Sequence, residues 1–482
     1  MTNNTDINEY NNTKSSHNPK EYTLFKPSFI DPHTLGHELT NNKYLDPTVI
    51  QFLKLSPEEI AQTYIKTHLE TSYDEVMNLL TTPVNHMRWS GSDLLNVQDE
   101  YGIRKKVVLE TNSCPSGALD FPTRVYDITG KTTYEKILRA TLIPQIKEQG
   151  DLAVIWDKNR RGTRAYAKTL ASLTDRNVHW ISLLDSEDYR IEDQEKLKIK
   201  GKDIAGGFRY VTQRPWERIS VDMSTPLINP IIGCLAGGRN KLLAGTAYNL
   251  FNKENTGTLK INTPYTTQDL DRSEILDLIA SWNFIGVIKD PYSNAGQGVY
   301  TITNEQELEE FANITQDNQR FILQQLIGNE HVTSNGSIRK LRHVGSAPIK
   351  GNNYAIDVRM MVVNSENGYS PVALYGRRAR APLDSLVGEN ISSWDILGTN
   401  LSVKLGKDKW RYDEEDRQIV ATPEEFPKLG IVLEDLVDIY IQASLSNLAI
   451  NNIADKLMAN GKFNRKLFSE INKDPTITNS II

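Results

Sequence analysis

Lys289 ends a short apolar run, Phe284 to Ile288, and a loop of small residues separates it from a second run, Val299-Tyr-Thr-Ile302. The pattern predicts strand, glycine-bearing flap, strand. Small residues let backbone N–H groups approach phosphate oxygens, and Gly296 and Gly298 can take positive φ. Asn294 lies in the same flap, and Lys289 supplies a cation beside it. An ordinary hairpin whose lysine faces solvent has the same pattern, and a glycine-rich match alone is weak.

A second constellation is Asp93, Glu110 and Asn112. Glu110 and Asn112 are two apart on an expected strand and so face one side. Asp93 falls on the preceding strand of the same hairpin. Carboxylate and carboxamide oxygens suit hard Mg²⁺, which uses one or two carboxylates together with substrate phosphates. The alternative is a solvated polar strand face. Cys114-Pro-Ser-Gly117 turns the chain directly after these residues and brings backbone and Ser116 near them.

Three further stretches carry polar chemistry. Gly237-Gly-Arg-Asn-Lys241 leads into a helical run, Leu242 to Phe251, so Lys241 stands at a helix start, where phosphate is favoured. A plain surface lysine fits the same sequence. Arg320 to Glu330 gives a strand, then Gln324, Gln325, Leu326 and Ile327, whose backbone suits an adenine edge, and Glu330, which suits ribose hydroxyls; a strand and turn with a solvated Glu also fits. Ala355 to Val363 places Asp357 and Arg359 on one strand face, and the next strand runs into Gly376-Arg-Arg-Ala-Arg380. Arg377, Arg378 and Arg380 suit a carboxylate or phosphate through charge-assisted bonds, or form a solvated basic rim. Gly398-Thr-Asn400 closes the region.

The elements that must position these residues follow from pattern. Asp46-Pro47 and Ser56-Pro57 place cap residues before proline, predicting helices near 47–54 and 57–69, with a third near 72–80. Strands are expected at His86–Trp89, Asp93–Val97 and Arg104–Glu110, with a turn at Gln98–Gly102. A helix is expected over Tyr134–Gln149. From Leu152 to Val211 strand and helix alternate, which argues for a small parallel α/β layer. Leu433 to Met458 reads as an amphipathic helix, and the polar residues 1–20 as a flexible tail.

The chain has 482 residues, 39% hydrophobic and 24% charged, which fits a globular protein of two to four domains. No apolar run reaches membrane-span length and no signal-peptide core opens the chain, so the expected location is cytoplasmic. Cys114 and Cys234 are too few for a disulfide framework or a cysteine-based zinc site. The net charge of −6, from 55 basic and 61 acidic residues, gives no support for nucleic acid or anionic membrane as partner.

Taken in order, these residues resemble the ATP-grasp superfamily of carboxylate–amine ligases. Residues 284–400 are similar to the ribosomal-protein glutamate ligases: lysine before a flap, Gly-x-Glu, Asp-x-Arg, an Arg-rich strand end and Thr-Asn. In those proteins the metal-binding Glu-x-Asn comes afterwards, whereas Glu110-Thr-Asn112 lies far upstream here. That order resembles the circularly permuted ATP-grasp proteins, including glutathionylspermidine synthetases, which also carry segments like Arg214-Pro-Trp-Glu217 and Asn240-Lys241. The resemblance covers roughly 86–400. Cys-Pro-Ser-Gly departs from the loop of the glutathionylspermidine enzymes, and no amidase-type half is present.

The resemblance implies an α/β (α+β) ATP-grasp fold in permuted order. It divides the chain into a tail (1–20), a helical segment (21–82), metal-binding strands (83–150), a small α/β domain (151–230), the nucleotide-binding core (231–430) and a C-terminal helix and tail (431–482). It implies ATP and Mg²⁺ as cofactors and activation of a carboxylate to an acyl-phosphate that an amine then attacks. Asp93, Glu110 and Asn112 would hold metal. Lys241, Lys289, the flap, Gln324 to Ile327 and Glu330 would hold ATP, with Arg359 and Lys289 catalytic. Arg88, Ser116, Arg214, Arg378, Arg380 and Asn400 would meet small-molecule or peptide substrates, while Trp216 either serves the substrate or packs. A phosphotransferase that stops at a phosphorylated product, or a non-catalytic nucleotide-binding module, would show similar nucleotide residues.

Overall fold

The computed structural model describes residues 22–28, 43–118, 121–122, 132–157, 159–182, 189–192, 196–210, 219–293, 296, 298–314, 320–329, 340–388, 390–406, 409–412 and 417–481. The expected tail 1–20, and Arg214, Trp216, Asn294 and Glu330, lie outside them. Elements are numbered in chain order.

Proline and cap residues set the first helices: α1 (Pro47–Lys54), α2 (Pro57–Thr67) and α3 (Tyr73–Thr81). Asp46, Ser56 and Ser72 accept from first-turn N–H groups, and Ser56 with Glu59 makes a capping box.

A first sheet comes from the alternating region. Its order is β1 (Tyr22–Phe25), β5 (Val178–Ser182), β4 (Asp151–Trp156), β8 (Lys202–Tyr210), β7 (Lys196–Ile199) and β6 (Tyr189–Glu192), with β9 (Leu227–Ile228) beside β8. β4 runs parallel to both β5 and β8. Helix α5 (Arg160–Thr174) makes the crossover from β4 to β5. The helix expected over 134–149 is shorter: α4 spans Thr133–Thr141 and a 3₁₀ turn follows at Ile143–Gln145. Pro144 has no N–H with which to continue an α-helix.

The second sheet is antiparallel and carries most of the chemistry. Its order is β14 (Leu341–His343), β2 (Trp89–Asp99), β15 (Ile356–Ser365), β16 (Gly368–Arg378) and β19 (Gln418–Ile419), with β3 (Arg104–Asn112) also on β2. The two strands expected at 86–89 and 93–97 are one strand, β2. A bulge between Asp93 and Leu94 shifts the β2–β3 register. The third sheet, β10 (Thr266–Leu270), β13 (Phe321–Gln324), β11 (Gly286–Lys289) and β12 (Val299–Ile302), has its own core. There Ile275 and Ile279 of α8 (Arg272–Ser281) and Phe311 of α9 (Glu305–Ala312) pack on Ile288, Phe321 and Leu323.

The remaining elements are α6 (Ile231–Gly233), α7 (Lys241–Glu254), α10 (Ser393–Leu397), the β17 (Ser402–Gly406) and β18 (Lys409–Tyr412) ribbon, α11 (Leu433–Leu457), α12 (Arg465–Ile471) and α13 (Pro475–Ile481). The helix expected to be amphipathic, α11, is buried on nearly every side: 17 of its 25 residues are inside. Several of its polar residues are hydrogen-bonded across the interface. Ser446 Oγ lies 3.1 Å from Ser92 Oγ and 3.0 Å from Thr111 Oγ1, and Gln442 Oε1 accepts from Asn262 N at 2.9 Å. Asn447 Nδ2 donates to Ser90 Oγ at 2.6 Å. These bonds fasten α11 to β2 and β3, which carry Asp93, Glu110 and Asn112.

Candidate active site

Strand register builds the site. Glu110 on β3 stands opposite Asp93 on β2, Asp93 opposite Arg359 on β15, and Arg359 opposite Tyr375 on β16. Residues in one cross-strand row project to one face, where opposite charges attract. Arg359 Nε donates to Asp93 Oδ1 at 2.6 Å and Nη2 to Oδ2 at 2.7 Å, a bidentate pair. Arg359 Nη2 also lies 3.9 Å from Glu110 Oε1.

A second arginine completes a buried network. Arg377 Nη2 lies 2.8 Å from Asp93 Oδ2, and Arg377 also binds Asp357 through both Nε (2.9 Å) and Nη2. Thr399 Oγ1 donates to Asp357 at 3.0 Å. Burial opposes ionisation of Asp93, but the Arg359 and Arg377 guanidiniums outweigh it and hold its carboxyl well below the usual carboxylate range. Asp93 is 2% exposed with both oxygens on guanidinium groups. In this structure it orients arginines and does not stand open to the cleft as a metal ligand.

Glu110 and Asn112 do face the cleft, with Arg239, Lys241, Lys289 and Gln324 among its lining. Asn112 Nδ2 donates to Glu110 Oε1 at 3.0 Å. Lys241 Nζ lies 3.9 Å from Glu110 Oε2 and donates to Ser293 O at 2.5 Å. The helix start at Lys241 is not an open anion cradle. Lys241 N donates to Pro291 O at 3.0 Å and Leu243 N to Asn240 Oδ1 at 3.3 Å. Lys241 therefore contributes through its ammonium, not its backbone.

Lys289 reaches the same cleft from β11, between Val299 on β12 and Ile322 on β13. Its ammonium makes no hydrogen bond or ion pair with the described residues. Loss of hydration, reinforced by the neighbouring Lys241 charge, pulls its pKa down to about 8, against the attraction of Glu110 and Asp93. Burial likewise depresses Lys241. Arg359 and Arg377 are balanced by Asp93 and Asp357, so Arg239, Lys241 and Lys289 outnumber the cleft-facing carboxylate of Glu110, an imbalance that an anion relieves.

The flap turns back on Asn400. Gly296 has φ +75°, and a Cβ there would sit 2.9 Å from Asn400 Nδ2. Gly298 O accepts from Asp290 N at 2.7 Å. Ser116 lies against Arg359, whose Nη1 donates to its Oγ at 3.3 Å, and Tyr375 Oη donates to Ser116 O at 3.4 Å.

Other expected contacts lie elsewhere. Gln325 N is used by Tyr265 O (2.8 Å), Leu326 is buried, and Ile327 packs with Leu95, Val97, Val107 and Leu341, so only Gln324 of that stretch lines the cleft. Arg88 is at the far end of β2, with Glu366 as its charge neighbour. Arg378 lies over the Tyr354 ring at 4.7 Å, and Arg380 pairs with Asp395 at 3.1 Å. None of these three lines the cleft. Conversely, the sequence reads Arg377 only as part of an arginine cluster, and gives Arg239 no role. The Asp357–Arg377 cross-strand pairing was the available signal for the first. The glycine pair before Arg239, which draws the backbone close, was the signal for the second.

A divalent cation fits this donor set in a limited way. Glu110 is 33% exposed on its side chain and Asn112 adds a carboxamide oxygen, both hard donors. Among the described residues no group of three His, Cys, Asp or Glu side chains could hold a metal ion. Mg²⁺ here would draw its other ligands from phosphate and water, as it usually does. No helix among the described residues is long and apolar enough to cross a membrane.

No known family model matches the sequence. No curated protein matches it significantly. Among solved structures, the chain is similar to a RimK domain ATP-grasp protein from Sphaerobacter thermophilus DSM 20745, at 14% identity and TM-score 0.30, over 46% of this chain and 90% of that one. It is also similar to a glutathione synthetase-like effector, GSS30, from Globodera pallida, at 10% identity and TM-score 0.38, over 69% of this chain and 83% of that one. Likeness at these TM-scores does not establish a shared fold, and the chemistry of the site rests on its own geometry.

Proposed function

We propose that this protein is an ATP-dependent ligase of the permuted ATP-grasp kind, joining a carboxylate to an amine through an acyl-phosphate. The observation that carries the reading is convergence. Glu110 and Asn112 from β3, Lys241 from α7 and Lys289 from β11 line one cleft, and Arg359 from β15 stands beside it with Nη2 3.9 Å from Glu110 Oε1, although Asp93 and the Arg359 it holds are 266 positions apart.

The chemistry follows from charge. A triphosphate and a carboxylate repel one another, so the site must supply cations at both. Lys241 and Lys289 suit the phosphate chain. Arg359, oriented by Asp93, suits the phosphoryl group in transfer, and fixed donors of this kind contribute on the order of 10²–10³ in rate. Glu110 and Asn112 would hold Mg²⁺, which neutralises charge on the transferring phosphoryl group when bound. The substrate carboxylate oxygen attacks the γ-phosphorus and ADP leaves; the amine nitrogen then attacks the acyl carbon and phosphate leaves. Ser116 and Tyr375, beside Arg359, suit the carboxylate end. The flap around Gly296 and Gly298 suits exclusion of water from the acyl-phosphate. Small-molecule or peptide acids and amines are the fitting substrates.

The test is ADP release from MgATP with acids and amines offered singly and in pairs. Release that needs both partners is expected. Release with the acid or an alcohol alone and no dependence on an amine would indicate a phosphotransferase. Absence of nucleotide binding by calorimetry would remove the reading.

A further inference from the structure

Both polar side chains that face the cleft from β3 are already met by protein cations. Asn112 Oδ1 accepts from Arg239 Nη1 at 3.0 Å, and Glu110 lies 3.9 Å from both Lys241 Nζ and Arg359 Nη2. Arg239 Nη2 donates to Cys114 O at 2.8 Å, so one guanidinium spans the Asn112 side chain and the start of the Cys-Pro-Ser-Gly loop.

The backbone that presents Arg239 is closely packed and hydrogen-bonded. A Cβ on Gly238 would lie 2.4 Å from Ser113 Cβ and 2.6 Å from Gly233 O. Ser113 N donates to Gly238 O, and Arg239 N to Cys234 O, each at 3.0 Å. A rearrangement of Arg239 that keeps these contacts is a movement of its side chain. That side chain lines the cleft shared with Lys241 and Lys289.

We infer that Arg239 is a stand-in cation. Donating to Asn112 Oδ1, it orients the Asn112–Glu110 pair; when metal and a polyphosphate load, it leaves Asn112 and becomes a phosphate ligand. The reason is electrostatic. A dication bound to Asn112 Oδ1 and a guanidinium donating to the same atom repel strongly where water is scarce. The leaving guanidinium stays among the phosphate oxygens, which it suits through forked charge-assisted bonds. The phosphate half of this inference rests on the nucleotide reading above; the competition with metal does not.

Mn²⁺ is the probe, followed by electron paramagnetic resonance on the full chain without nucleotide. Arg239→Ala should bind Mn²⁺ several-fold more tightly than the wild type, because the competing cation is gone. In the presence of Mn²⁺ it should bind ADP about tenfold more weakly, having lost a charge-assisted phosphate contact. Arg239→Lys, which keeps the charge but loses the fork, should fall between on both measures, and it carries the test if the alanine variant does not fold. Unchanged or weaker Mn²⁺ binding by folded variants overturns the competition. Undiminished ADP binding overturns the phosphate role. If the wild type binds Mn²⁺ but no adenine nucleotide, the ligase reading fails while the Mn²⁺ comparison still decides the competition.

Discussion

On the proposed nucleotide-binding role, Lys289 should make nucleotide affinity depend on pH in a range where few groups titrate. With its pKa at about 8, about nine-tenths of Lys289 carries a proton at pH 7 and about one-tenth at pH 9. Only the charged form attracts phosphate, and bound phosphate raises the pKa. Apparent Kd for ADP should therefore rise about tenfold from pH 7 to pH 9. Near pH 8 the binding event should take up about half a proton, visible by calorimetry in buffers of different ionisation enthalpy. Lys289→Arg, whose charge does not titrate here, should flatten the profile, leaving only the share due to Lys241. The sign for folding is opposite. The unfolded chain keeps this proton to roughly pH 10.4 while the folded one releases it near 8, so the unfolded state holds more protons in between. Stability of the unliganded protein should rise with pH across that window. Affinity that is level from pH 7 to 9, or a Lys289→Arg profile as steep as the wild type, would refute the assignment of Lys289 to phosphate.

Three other perturbations separate the roles around it. Asp93→Asn strips charge from between Arg359 and Arg377; because Arg377 keeps Asp357, the loss should sit near the low end for a broken buried pair, about 3 kcal/mol in urea unfolding, and a loss under about 1 kcal/mol would argue against the network. Glu110→Gln should keep the melting temperature but lose Mg²⁺-dependent turnover, since an amide lacks the charge Mg²⁺ prefers; full activity at saturating Mg²⁺ removes Glu110 as a ligand. Gly238→Ala forces a Cβ against Ser113 Cβ and Gly233 O, costing about 1–3 kcal/mol in denaturant unfolding and weakening ADP binding by displacing Arg239; a variant as stable as the wild type refutes the close packing.

The sequence carried the parts of the site that depend on local spacing. Glu110 and Asn112 share a face because strands have a period of two, and Lys289 precedes a hairpin because glycines mark its turn. The convergence of Glu110 with Arg359 follows from the chemistry they would share, but which partner each group takes across the distant strands was hidden. Asp93 reads as a free carboxylate until β15 is laid beside β2 and Arg359 and Arg377 arrive on it. Arg378 and Arg380 read like Arg377, yet only Arg377 faces Asp357, because successive strand residues alternate sides. The backbone after Gln324 offered hydrogen-bonding groups, but Tyr265 from a remote segment takes one of them. α11 reads as amphipathic because its Gln, Ser and Asn residues look solvated; they are polar contacts inside a core.

The way α11 is fastened behind β2 and β3 has a consequence for how the chain is made. The hairpin bearing Asp93 and Glu110 leaves the ribosome early, but its partner strand β15 comes 266 positions after Asp93 at Arg359, and α11 comes later still. At a synthesis rate of about 5–20 residues per second, Asp93 waits roughly 13–50 s for its arginine. Throughout that interval β2 offers an unpaired edge, and the polar residues that later meet α11 have only water as partner. Non-local pairing of this kind is slow and exposed to aggregation. That edge closes only when β15 pairs with it, and a chain that stops before residue 433 lacks the helix that packs behind β2 and β3.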